Sequence, residues 1–329
     1  MPSSTLSKSC GNRGGIETTD NQPPSEPGEG VLTPFEEIDR CALALSAHRS
    51  RPLLVLFYHE GEGQMVLSDV EDVYQAFHEG GWKRNPIKKR LDVLIHSIGG
   101  DPDVAYMIAQ IVRNYSAEVT YLVPEFAWSG GTLTCLSADE ARLGAHGTLG
   151  PIDVTVKPAP EVEIELAGIE YYKRFAAECL RESLKAYRDF GAQPNTRVDS
   201  KLLVQLVRDV GAINLGELYR RSAITKEYAA RLLTDYMFSK RPHRDTLAKD
   251  VADKLVREYP HHAFALDYHN CLGLGLSVKE MDEPEYELNA AVIAAIRTAI
   301  EAGAICESTD SPFVGPGEPY RAPFLRLYG

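Results

Sequence analysis

Apolar runs that stop at glycine alternate with apolar residues spaced three and four apart, and that alternation predicts an α/β architecture. Leu53–Tyr58 predicts one strand, followed by an acidic-glycine turn, and Leu91–Ile98 a second, which stops at Gly99-Gly100. Asp101 then opens a helix with Val104, Ala105, Ile108, Ile111 and Val112 on one face. Glu118–Val123 is β-rich again and leads into Trp128-Ser129-Gly130-Gly131, after which Leu133, Leu136 and Ser137 begin another helix. Upstream, Thr33-Pro34-Phe35-Glu36-Glu37 reads as a helix start with Pro34 at the first helical position. Ser68-Asp69-Val70-Glu71 reads as a capping box that starts a helix through Val73 and Phe77.

Beyond residue 153 the pattern changes. Residues 154–167 alternate apolar and polar positions around two prolines, as an edge hairpin does. Gly168–Phe190 predicts a helix, and Arg197–Tyr259 is almost wholly helical, with starts expected at Val198-Asp199-Ser200 and Ile224-Thr225-Lys226-Glu227. An Ala/Ile helix over 288–303 precedes a Gly/Pro-rich tail ending FLRLYG, a segment able to dock on a neighbour. Residues 1–32 carry almost no large apolar side chains and are expected to be a disordered tail.

Each central strand ends in a glycine turn that opens a helix, which is where an α/β sheet exposes backbone N–H groups. A serine at the mouth of a helix has an exposed hydroxyl with the helix dipole behind it. The Gly99-Gly100 turn on the neighbouring strand can aim a second N–H into the same space, and the Gly130 N–H is the natural partner donor. Two such donors around one nucleophile make an oxyanion hole. Taken singly, Ser129 reads better as a helix N-cap and Gly99-Gly100 better as a tight turn; the pair on consecutive βα units is the more specific signal.

Composition narrows the function classes. At 329 residues and 44% apolar, the chain can bury one large core or two smaller ones. A net charge of −12 argues against a nucleic-acid partner. No run of eighteen apolar residues predicts a membrane span, and MPSSTLSKSCGNRGG lacks the apolar region of a secretory signal. Six cysteines without a CxxC pair fit a reducing compartment, hence a cytoplasmic reading, and Cys135 is expected in the core. The basic 80–90 segment, GGWKRNPIKKR, reads as a solvated linker, or as a loop that steers an acidic partner. In Tyr259-Pro260-His261-His262, adjacent histidines cannot both face one ion on a regular element, which argues against a metal site there. His269 reads as a surface or packed residue. No metal and no cofactor is expected.

The stretches IHSIGGDPDVAYMIA, WSGGTLTCLSADE and LGAHGTLGPID resemble the ClpP and SppA class of serine peptidases, and within it the serine dehydrogenase proteinase branch. LVREYPHHAFALDYHNCLGLGLSV (255–278) is similar to that family's C-terminal segment, and the resemblance covers about 34–285. It implies an α/β fold of ClpP/crotonase type, a spiral of βαβ units with an added helical C-terminal region. The expected division is a tail over 1–32, a peptidase domain over 33–285, and a C-terminal helix and tail over 286–329. It implies Ser129 as nucleophile, Gly100 and Gly130 as the oxyanion hole, and residues 154–167 as an arm beside the substrate channel. A soluble, ATP-independent serine peptidase that acts on peptides or unfolded protein as a homo-oligomer follows from the same resemblance.

The resemblance leaves the base open. Counting along from the serine helix, the ClpP histidine position falls near Ile152-Asp153, where there is no histidine, and His146 lies earlier, in the Gly144–Gly150 loop. SppA and NfeD relatives use a lysine. Lys157 stands 28 residues after Ser129 and Lys173 stands 44 after it; the NfeD-like spacing favours Lys173, with Lys157 the second choice. A lysine base must be neutral, against a reference pKa of about 10.4. Tyr171, Tyr172 and Phe175 can dry Lys173, whereas Arg174 and Glu170 can keep it charged. Two other functions fit the same fold: a crotonase-type acyl-CoA enzyme, whose hole holds a thioester enolate, and an inactive scaffold or binding protein.

Overall fold

Strands covered on both faces need apolar residues at nearly every position, and the central runs of this chain supply them. The structure, a computed structural model, describes residues 32–58, 63–84, 89–153, 155–156, 175–176, 212–259, 261–305 and 324–328. In chain order the elements are α1 (Pro34–Arg49), β1 (Leu53–Phe57), α2 (Leu67–Glu79), β2 (Arg90–His96), α3 (Pro102–Tyr115), β3 (Glu118–Val123), β4 (Phe126–Ala127), α4 (Gly130–Cys135), β5 (Glu140–Leu143) and β6 (Thr148–Leu149). There follow β7 (Thr155–Val156), β8 (Phe175–Ala176), α5 (Ala212–Leu232) with a π-helical turn at Leu233–Met237, α6 (Arg244–Arg257), α7 (Tyr268–Gly273), β9 (Val278–Glu280), α8 (Glu283–Glu301) and β10 (Phe324–Tyr328).

The fold is mixed α/β around one sheet of order β10-β1-β2-β3-β5-β9. All neighbours run parallel except β10, which is antiparallel to β1. Side chains alternate between faces along a strand, so the sheet feeds two cores. Leu54, Leu56, Val93, Ile95 and Tyr121 pack with Val73, Phe77, Ile108 and Val112 of α2 and α3. Leu53, Val55, Phe57, Leu94 and Leu122 pack with Ile38, Ala42 and Leu45 of α1 and with Val292, Ile293 and Ile296 of α8. Pro34–Gly329 cluster as one unit.

The second core holds buried charge. Asp92, opposite Leu53 on the face covered by α1 and α8, is held by Arg49 at 2.6 Å and by Arg51 at 3.4 Å. Arg49 also reaches Glu285 at 2.8 Å, and Arg142 reaches the other oxygen of Glu285 at 2.7 Å. Burial pushes the Glu285 carboxyl above its ordinary value, with Arg49 and Arg142 pulling it back.

Several expectations are corrected. The capping carboxylate of α2 is Asp69, which accepts the Val66 N–H at 2.8 Å, so the helix begins at Leu67 with Val66 as its cap rather than at Ser68. Ile224-Thr225-Lys226-Glu227 is not a helix start but lies inside α5, where the Thr225 hydroxyl donates to the Arg221 carbonyl at 3.0 Å. Phe175-Ala176, expected within a helix, is extended and pairs antiparallel with Thr155-Val156. The final strand docks on the chain's own β1, and the boundary drawn at residue 285 falls inside α8. Residues 1–31, 157–174 and 177–211 lie outside the described residues, and with them the tail, most of the 154–167 arm and the expected start at Val198. Among the described residues no helix is long and apolar enough to cross a membrane.

Candidate active site

At the carboxyl end of β2 the chain bends through Ser97-Ile98-Gly99-Gly100. Gly99 has φ 109° and Gly100 φ 151°, a region that side-chain-bearing residues rarely adopt. The backbone of Met65 runs against this bend: its N–H donates to the Gly99 carbonyl at 2.9 Å and its carbonyl accepts from Asp101 N–H at 3.1 Å. In such a parallel bridge the paired residue's own N–H points away from its partner, so the Gly100 amide is turned from Met65. The Gly100 nitrogen lies close to the turn that carries the serine. A Cβ at Gly130 would stand 3.2 Å from the Gly100 nitrogen, and one at Gly99 would stand 2.7 Å from the Ser129 Cβ and 2.9 Å from the Gly130 nitrogen. The two glycine turns are in contact. Asp101, as expected, opens α3, its carboxylate accepting from Asp103 N–H at 2.8 Å.

Ser129 sits between β4 and α4 with φ 50° and ψ −113°, a conformation that costs a non-glycine residue about 1–3 kcal/mol. Its side chain makes no capping hydrogen bond, so the reading of Ser129 as a side-chain N-cap falls away. Neighbouring hydroxyls hold this turn: Thr132 Oγ1 donates to the Ala127 carbonyl at 2.6 Å and accepts from Gly150 N–H at 2.8 Å. The Trp128 indole N–H donates to Thr148 at 3.0 Å.

Ser129, Gly99, Gly100 and Gly130 line a cleft of about 850 Å³, and so do Asp153 and His262. Leu149 and Leu266 exchange both backbone hydrogen bonds, at 3.0 and 2.9 Å, and Ile152 N–H donates to the Leu255 carbonyl at 3.0 Å. Those bonds lay the segment after β6 beside the segment after α6. Nδ1 of His262 then lies 2.7 Å from Oδ1 of the buried Asp153. A bond at Nδ1 leaves Nε2 as the ring nitrogen not engaged by Asp153, and His262 lines the cleft. Met65, Leu67, Ile98, Met107, Leu133 and Ile152 give the cleft an apolar lining, and Arg221 borders it.

Sequence reasoning missed the His262–Asp153 pair. Asp153 stood at the position searched for a histidine, and His262 was weighed only as a metal ligand. Lys173 and Lys157 lie outside the described residues. His146 is exposed and does not border the cleft. Cys135 is fully buried and burial pushes its thiol well up, while burial pushes Cys271 up to about 12; neither is a nucleophile near neutral pH. Among the described residues no three histidines, cysteines or carboxylates gather as a metal set.

A strained serine between strand and helix thus stands against a glycine bend at the carboxyl end of a parallel sheet. Residues 64–177 match the family model of ClpP-like SDH-type serine proteinases, so the assignment read from the motifs holds over this stretch. Two uncharacterized proteins of Methanocaldococcus jannaschii are similar to the chain. One is 33% identical over 100 residues, 30% of this chain and 33% of its own length. The other is 28% identical over 225 residues, 68% of this chain and 62% of its own length. The chain thus spans less than two thirds of either relative.

Proposed function

We propose that the protein is a serine peptidase in which Ser129 attacks a peptide carbonyl and His262, oriented by Asp153, takes the serine proton. One observation carries this reading. A strained serine with no capping duty borders the same cleft as a histidine–carboxylate pair at 2.7 Å. As the tetrahedral intermediate forms, the Gly100 and Gly130 amides hold the charge on the carbonyl oxygen. His262 then gives its proton to the leaving amine, and an acyl ester on Ser129 remains. Water, deprotonated by the same imidazole, releases the acid and restores the serine.

The base in this proposal is His262 rather than Lys173 or Lys157. A histidine serves near neutral pH as it stands, whereas a lysine must be held neutral far below a reference value of about 10.4. The short pairings Met65–Gly100, Ser97–Ala127, β4–β6 and Leu149–Leu266 recur beside the main sheet and support the ClpP-type spiral expected from the sequence. The substrate class is a peptide or unfolded segment, hydrolysed without ATP.

The test is turnover of a quenched fluorescent peptide library with labelling by a fluorophosphonate. Ser129→Ala is expected to lose both. His262→Ala is expected to lower kcat by roughly 10²–10⁴-fold, with Lys173→Ala and Lys157→Ala close to wild type. Full activity in His262→Ala together with loss in Lys173→Ala would return the base to the lysine. CoA-thioester turnover that survives Ser129→Ala would support the crotonase-type alternative instead.

A further inference from the structure

We infer that Ser97 is a positioning residue of the oxyanion hole: it indexes the two glycine turns against each other and so sets where the Gly100 and Gly130 amides point. Its kinetic consequences rest on the peptidase reading above; its geometric consequence does not.

Ser97 is fully buried and follows β2 directly. Its side-chain oxygen accepts the Gly99 N–H at 3.0 Å. Its main chain reaches the other turn: Ser97 N–H donates to the Phe126 carbonyl at 3.2 Å, and the Ser97 carbonyl accepts from Trp128 N–H at 2.9 Å. A Cβ at Gly131 would meet the Ser97 Cβ at 3.3 Å, so the same side chain packs against the start of α4. One residue therefore holds the bend that carries Gly100 and the segment that carries Ser129.

The restraint matters because Gly99 has no side chain to fix its own torsions. Met65 holds the Gly99 carbonyl, which is one edge of the peptide bearing the Gly100 N–H. Ser97 holds the Gly99 amide on the other side of the same residue. Without the hydroxyl, a buried N–H loses its acceptor and the bend can rotate to recover one. An oxyanion donor works only where the charge develops, so a small rotation costs rate more than substrate binding.

The experiment compares Ser97→Ala, Ser97→Cys and Ser137→Ala with wild type. Ser137 is an equally buried hydroxyl, donating to the Thr134 carbonyl at 2.8 Å. Ser97→Ala is expected to lower kcat roughly ten- to a hundredfold with little change in KM, and to weaken a peptide boronic acid by a similar factor. Hydrogen exchange at the Gly99 amide is expected to rise about tenfold or more as its acceptor is lost. Ser97→Cys, with a weaker acceptor of similar size, falls between, and carries the same comparison if the alanine variant does not fold. Ser137→Ala lowers thermal stability and moves neither the kcat-to-KM balance nor Gly99 exchange. Wild-type kcat and unchanged Gly99 exchange in Ser97→Ala would overturn the inference, as would an equal kinetic defect in Ser137→Ala. If wild type neither cleaves peptides nor labels at Ser129, the peptidase reading fails by itself, and Gly99 exchange alone decides the role of Ser97.

Discussion

A methyl group at position 100 would stand 2.3 Å from the Met65 amide nitrogen. Gly100→Ala is therefore expected to cost at least about 1–3 kcal/mol in urea unfolding and to abolish hydrolysis. An active Gly100→Ala protein of wild-type stability would contradict the arrangement. Such positions were legible in the sequence because few residue types can occupy them. A glycine pair after an apolar run, and a serine before another glycine pair, each point to one kind of turn. The His262–Asp153 pair was not legible, since its members are 109 residues apart and meet through the pairing of Leu149 with Leu266 and of Ile152 with Leu255. The resemblance suggested a lysine and spacing favoured Lys173, but spacing measures one dimension, and the His262–Asp153 contact is made in three. Asp153→Asn keeps the shape of the side chain and removes its charge; it is expected to lower kcat by roughly 10²–10⁴-fold with little change in unfolding midpoint. Undiminished turnover in that variant would remove Asp153 from the site.

At the scale of elements, the strands were the readable part. Buried parallel strands are short unbroken apolar runs, and Glu118–Val123 was read with the bounds it has. Helix starts were harder, because hydroxyl residues that suggest a cap also occur inside helices, as Thr225 does in bonding back to Arg221. The charge network joining α1, β2 and α8 was invisible in the sequence, where Arg49, Asp92 and Glu285 are merely three charges among many. Arg49 is the only side chain of the three that reaches both others, at 2.6 and 2.8 Å. Arg49→Ala would leave Asp92 to Arg51 at 3.4 Å and Glu285 to Arg142 at 2.7 Å, and is expected to cost about 1.5–3 kcal/mol by urea denaturation. Arg40→Ala, which removes an exposed pair with Glu37, is expected to leave the midpoint where it was. Equal effects of the two substitutions would show that the buried network carries no special weight.

At the scale of the whole molecule, the parallel sheet sets its glycine turns at one edge, and the helical C-terminal half brings His262 to them. Residues of both halves line the cleft, which is why the motifs around Ser129 pointed to the proposed nucleophile and not to the proposed base. The homo-oligomer expected from the sequence remains a proposal; sedimentation velocity is expected to give a multiple of 36.3 kDa, and a monomer at micromolar concentration would contradict it. The central claim is that Ser129 is a nucleophile activated from across the cleft. Its most direct test is the rate of fluorophosphonate attachment, with the modified residue identified by peptide mass spectrometry. The account predicts a single adduct on Ser129 in wild type, formed far more slowly in His262→Ala and at nearly the wild-type rate in Lys173→Ala. An adduct elsewhere, or attachment to Ser129 that is indifferent to His262, would contradict it.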